Sequence, residues 1–137
     1  MQFEYNIEAG NFTKAGDASS NFKKVLKQLN VDPQIIKRIV VSLYEGEVNI
    51  VAHSYGGKVI CEVNPKKVWI RLIDTGPGIP DIEKAMQAGY STASPKVREM
   101  GFGAGMGLPN MKNNADILNI KSEVGKGTEV EIIVNLN

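Results

Sequence analysis

The segment Gly101-Phe102-Gly103-Ala104-Gly105-Met106-Gly107-Leu108-Pro109 is the feature that most restricts what this chain can become. Four glycines at every second position disfavour helix and strand alike, so the stretch reads as a loop. A helix opens directly after it, with Pro109 near its first turn, where a missing N–H is harmless. The free N–H groups of a helix start, together with the helix dipole, form an anion site suited to the phosphates of a nucleotide. A flexible linker would run into a polar tract instead.

The remaining chain surrounds that loop with alternating signals. Phe3, Tyr5 and Ile7 alternate with polar residues and predict a strand over Gln2–Glu8. Phe22, Val25, Leu26 and Leu29 fall at helical spacing within Thr13–Leu29, and Asn30 ends the run. A second helix is announced by Asp32 as cap and Pro33 in the first turn, followed by Ile35, Ile36, Ile39, Val40 and Leu43. It continues to Gly56–Gly57, weakened locally by Gly46. Two β-rich runs, Lys58–Val63 and Lys67–Ile73, are joined by an Asn64–Pro65 turn. A short helix starts at Asp81, a loop covers roughly Gly89–Gly107, and a helix runs from Leu108–Pro109 to about Asp116. Strands over Ile117–Glu123 and Thr128–Leu136, linked through Gly125 and Gly127, close the chain. The order β-α-α-β-β-α-loop-α-β-β favours one α/β domain over residues 1–137. Its expected form is a two-layer sandwich, with a mixed, mostly antiparallel sheet covered by helices on one face.

Two further constellations bear on chemistry. Glu45, Asn49 and His53 recur every four residues and share one face of the long helix. An Asn oxygen can ligate Mg²⁺, and a Glu one turn away can orient or deprotonate a nucleophile. By itself the same spacing describes a polar stripe on an amphipathic helix. The second is Asp74-Thr75-Gly76-Pro77-Gly78-Ile79-Pro80 after an apolar strand. A carboxylate at a sheet end can accept a hydrogen bond from an exocyclic amino group, and glycines let a flat base approach the backbone. An ordinary Asp-initiated turn carries the same residues.

Composition enters by exclusion. A formal net charge of +1 gives no strong overall field for nucleic acid or anionic lipid, though it leaves room for a local basic patch. One cysteine, Cys61, in an apolar run excludes a disulfide framework and reads as a buried thiol in a reducing cytoplasm. One cysteine and one histidine also exclude a Cys/His zinc site. The first residues lack the basic start and apolar stretch of a signal peptide, and no run approaches a membrane span. Gly125-Lys126-Gly127-Thr128 is not a Walker loop, and the glycine loop contains no Gly-x-Gly-x-x-Gly.

Together and in order, these segments resemble the GHKL ATPase superfamily, which includes sensor histidine kinases, the gyrase and Hsp90 ATPase domains, and bacterial anti-sigma serine kinases. Glu45-x-x-x-Asn49 matches the N box, Asp74-x-Gly76-x-Gly78 the first glycine box, Gly103-x-Gly105-x-Gly107-Leu108 the second, and Gly127-Thr128 the late Gly-Thr element. The resemblance implies a Bergerat-type fold with a lid over ATP or ADP. It implies that Asn49 holds Mg²⁺, Asp74 binds the adenine amino group and Thr128 supports adenine through water. Gly105, Gly107 and neighbouring amides face the phosphates, and Glu45 is the general base toward a serine or threonine hydroxyl.

The segment from Tyr44 to Asn49, with His53-Ser54-Tyr55 and the Gly107-Leu108-Pro109 end of the loop, looks most like the compact anti-sigma and switch-kinase branch. That likeness implies a sigma factor or a STAS-domain antagonist as partner, no direct nucleic acid or membrane partner, and room for a homodimer. A sensor histidine kinase needs an acceptor-histidine domain, which 137 residues do not accommodate. Gly46 and the second carboxylate Glu47 depart from the usual pattern, and the lid over roughly 85–103 is short. Lys96 and Arg98 within it read as solvated charges or contacts to phosphate or partner. A nucleotide-dependent binding switch without phosphoryl transfer is the alternative; simple ATP hydrolysis through dimerisation is a third reading.

Overall fold

The structure, a computed structural model, describes residues 1–87 and 107–136. Five strands, β1 (Gln2–Ile7), β2 (Gly57–Val63), β3 (Lys67–Thr75), β4 (Ile117–Glu123) and β5 (Gly127–Asn135), form one sheet in the order β1-β2-β3-β5-β4. All four pairings are antiparallel. Helices α1 (Asp17–Gln28), α2 (Pro33–His53) and α4 (Gly107–Asn114) lie on the sheet's inner face, and the single-turn α3 (Ile82–Ala85) follows β3. This is the two-layer arrangement that the alternation predicts.

The start of α2 and the end of α1 have local causes. The Asp32 side chain accepts from Gln34 N at 2.8 Å and Pro33 is the first helical residue, so α2 carries its start signal in its own sequence. Asn30 adopts φ 58° and its neighbours close the turn, with Val31 N on Leu26 O and Asn30 N on Lys27 O. The expected first helix begins later than Thr13, at Asp17, because turns occupy the residues before Gly16. α4 ends at Asn114, two residues short of the expected Asp116, and Asp116 instead accepts from Arg38 and from the Asn135 amide.

The core is built by period-2 patterning. Val68, Ile70 and Leu72 of β3 stand opposite Val134, Ile132 and Val130 of β5, and all point under the helices. Phe22 and Leu26 of α1, Ile39, Leu43 and Ile50 of α2, and Met111 of α4 complete it from above. Gly46 explains its departure from the usual pattern here: a Cβ at that position would sit 2.5 Å from Leu72 Cδ2, so the missing side chain lets α2 settle on β3. Cys61 is fully buried on the same face, and burial, with Glu47 nearby, pushes its thiol up to about 12. It is structural, as its apolar surroundings suggest.

Candidate nucleotide-binding site

The apolar rows of the inner face end in one polar row. Moving along β3 and β5, the pairs Val68–Val134, Ile70–Ile132 and Leu72–Val130 are followed by Asp74–Thr128, and Ser122 of β4 stands opposite Thr128. Side chains two residues apart share a sheet face, so Asp74, Thr128 and Ser122 line up where the core would otherwise continue. Asp74 Oδ1 accepts from Thr128 N at 3.2 Å. Among the described residues its second oxygen has no hydrogen-bond partner. Burial pushes the Asp74 carboxyl above its ordinary value, opposed by the Thr128 amide. A half-desolvated carboxylate with an open oxygen is an acceptor for an amino group.

The hydroxyls beside it are linked. Ser122 Oγ lies 2.8 Å from Thr128 Oγ1 and 3.1 Å from Gly127 O, and it accepts from Ile79 N at 2.7 Å. That last bond ties the turn after β3 to β4. The glycines of the turn are placed by close approach. A Cβ on Gly76 would lie 3.1 Å from Ser54 Cα, where α2 ends. Gly78 adopts φ 77° with Glu123 O only 2.5 Å from its Cβ position, a conformation and a space that exclude other residues. Asp74, Gly76, Gly78 and Thr128 therefore meet at one end of the sheet.

The second half of the site lies on α2 and α4. Glu45 and Asn49, one turn apart, are both half-buried and face α4. At the start of α4, a Cβ on Gly107 would lie 3.1 Å from both Oδ1 and Nδ2 of Asn49. Leu108 beside it is buried in the core and anchors the helix start. Gly103 and Gly105, also expected at the phosphates, lie outside the described residues, as do Lys96 and Arg98. His53 closes α2, and burial holds its imidazole below the ordinary value, favouring the neutral form.

The donor set fits a nucleotide with Mg²⁺ better than a metal held by protein alone. Among the described residues no group of three or more His, Cys, Asp or Glu side chains converges on a metal position. Asn49 offers one neutral oxygen, which suits an ion that keeps waters and takes phosphate oxygens.

A half-buried carboxylate at a sheet end, and a Glu-Asn pair on the covering helix with a glycine-opened helix start against it, are set into an α/β sandwich. The family model for histidine kinase-, DNA gyrase B-, and HSP90-like ATPases matches residues 32–137, and the chain belongs to that family. It is 32% identical over 115 residues to the serine/threonine-protein kinase RsbT of Bacillus subtilis (strain 168), covering 81% of this chain and 80% of the relative. It is 36% identical over 109 residues to the anti-sigma F factor of Thermoanaerobacter sp. (strain X514), covering 74% and 73%. Among solved structures, the RsbU and RsbW domains of a Mycobacterium tuberculosis protein superpose with TM-score 0.68 at 16% identity, covering 99% of this chain and 32% of that one. A mycobacterial sensor histidine kinase, MprB, gives 0.55 at 16% identity, covering 98% and 97%. At that identity the structures speak for the fold alone.

Two polar residues of the region have no part in the sequence reading. Ser122 was legible in principle, since Leu118, Ile120 and Ser122 share the inner face of β4. Asn110 was not: in Pro109-Asn110-Met111-Lys112-Asn113-Asn114 it looks like any polar helix residue, yet its Nδ2 donates to Glu45 Oε1 at 3.2 Å.

Proposed function

We propose that this chain is a Mg·ATP-dependent serine/threonine protein kinase of the compact anti-sigma type, acting on a small STAS-domain antagonist or on a sigma factor. The observation that carries the reading is the Glu45–Asn49 pair on α2 against the Gly107 start of α4. The names of the relatives, a serine/threonine-protein kinase and an anti-sigma F factor, support it.

In this reading Asp74 accepts from the adenine amino group, with Thr128 beside it and Gly76 and Gly78 leaving room for the base. Gly103, Gly105, Gly107 and Leu108 present amides to the phosphates. Asn49 holds Mg²⁺, which when bound neutralises phosphate charge. Glu45 takes the proton of the attacking hydroxyl. The added phosphate then changes the partner's interface by charge. Residues 1–137 act as one domain, in the cytoplasm, with pairing into a homodimer consistent with the same reading. Among the described residues no helix is long and apolar enough to cross a membrane.

The test is transfer of ³²P from [γ-³²P]ATP to recombinant STAS-domain proteins of the source organism. Wild type is expected to label a serine or threonine on one of them, and Asn49→Ala to label none. A partner held or released according to nucleotide, with no phosphate on it, would replace the kinase by a binding switch.

A further inference from the structure

Glu45 is a long side chain on a half-exposed helix face, and fixing an unrestrained Glu costs rotamer freedom. A general base has to be held within hydrogen-bond reach of the proton it takes. Asn110 meets that need from the neighbouring helix. Leu108 and Met111, both buried, seat α4 in the core on either side of it. Asn110 is thereby turned toward α2, and its Nδ2 donates to Glu45 Oε1 at 3.2 Å. Its backbone carbonyl accepts from Asn114 Nδ2 at 2.8 Å, and Arg38 Nε donates to Asn114 O at 3.0 Å, so α4 is fixed to α2 at its far end too.

We propose that Asn110 is the positioning residue for Glu45: its amide fixes one carboxylate oxygen and leaves the other for the acceptor hydroxyl. An amide suits the task because it donates without carrying charge, whereas a Lys or Arg would stabilise the carboxylate and weaken it as a base. Asn110 also stands one helical turn after Gly107, which abuts Asn49. The first turn of α4 thus touches both polar residues of the α2 pair. The inference rests on the reading of Glu45 as base.

The experiment is a double-mutant cycle on the full chain, with the STAS-domain acceptor and [γ-³²P]ATP, joined to an NMR measurement that needs neither. Asn110→Ala is expected to slow transfer roughly tenfold, the effect of one hydrogen bond to a charged group, with ATP affinity changed less than about twofold. Asn110→Asp, equal in size but without the donor, is expected to slow it at least as much, and serves if the alanine variant unfolds. In a Glu45→Gln background, Asn110→Ala is expected to add nothing. Equal slowing in both backgrounds would overturn the positioning role. In ¹⁵N-labelled protein without nucleotide, Glu45→Gln is expected to shift the Asn110 side-chain amide resonances; unshifted resonances would overturn it as well. Wild-type transfer by Glu45→Gln would defeat the base reading instead, while the amide resonances still report whether the contact exists.

Discussion

Glu45 and Glu47 are two positions apart on α2 and so point about 200° apart around the helix. Glu47 is 1% exposed and accepts four hydrogen bonds, from Gly16 N at 2.9 Å, Ala18 N at 3.1 Å, Ser19 N at 3.0 Å and Ser19 Oγ at 2.6 Å. Glu45 is half-buried and, among the described residues, receives one, from Asn110. A carboxylate has room for about four donors, so the first is saturated and the second keeps capacity for another. Glu47 does what the N-cap of α1 cannot: Gly16 occupies that position and has no side chain. The second carboxylate, unusual in the sequence pattern, is therefore a fastener on the opposite side of α2 from the site. The difference teaches that the number of donors already spent on a carboxylate separates a structural glutamate from one available for chemistry.

The largest test of that contrast is Glu47→Ala. It strands two buried N–H groups, a part-buried one and a buried hydroxyl, and is expected to lower unfolding free energy by about 4 kcal/mol, measured by urea titration. A loss below about 1 kcal/mol would mean that water replaces the carboxylate. Glu45→Gln is next. It is expected to slow phosphoryl transfer about 100-fold while leaving the urea midpoint nearly unchanged. A large stability loss would erase the contrast between the two glutamates.

The smallest test uses a third carboxylate. Asp116 is exposed and, unlike Glu47, takes one donor on each oxygen, with Oδ1 on Arg38 at 2.9 Å and Oδ2 on Asn135 N at 2.7 Å. The Asn135 amide, then Arg38, hold its carboxyl below the ordinary value. Because the folded value is depressed, its contribution is present above the ordinary carboxylate range, near pH 4, and is lost as pH falls through the folded value. Asp116→Asn is expected to cost no more than about 1 kcal/mol at pH 7 because solvent screens the pair, and the gap to wild type should close on acidification. A gap that stays constant with pH would assign the effect to packing instead.

Most of the fold was legible because its signals are local. Asp32-Pro33, Asn30 and the alternation of β3 and β5 each act within a few residues of themselves. The strand order was not legible, since β5 inserts between β3 and β4 through contacts no local pattern encodes. The site divides the same way. Asp74, Gly76, Gly78 and Thr128 follow from motif spacing, and the structure brings them together. Asn110 and the task of Glu47 depend on which helix lies beside which, and a single sequence does not state that.

The fastening of α1 by Glu47 also bears on the order in which the chain folds. The bonds from Gly16, Ala18 and Ser19 span 28 to 31 residues, and the loop they close must be gathered before any of them forms. α2 has its own start signal at Asp32 and can nucleate early; α1 borrows its start from α2 and must follow. Substitutions at Asp32 should therefore act mainly on the folding rate, and substitutions at Glu47 mainly on the unfolding rate.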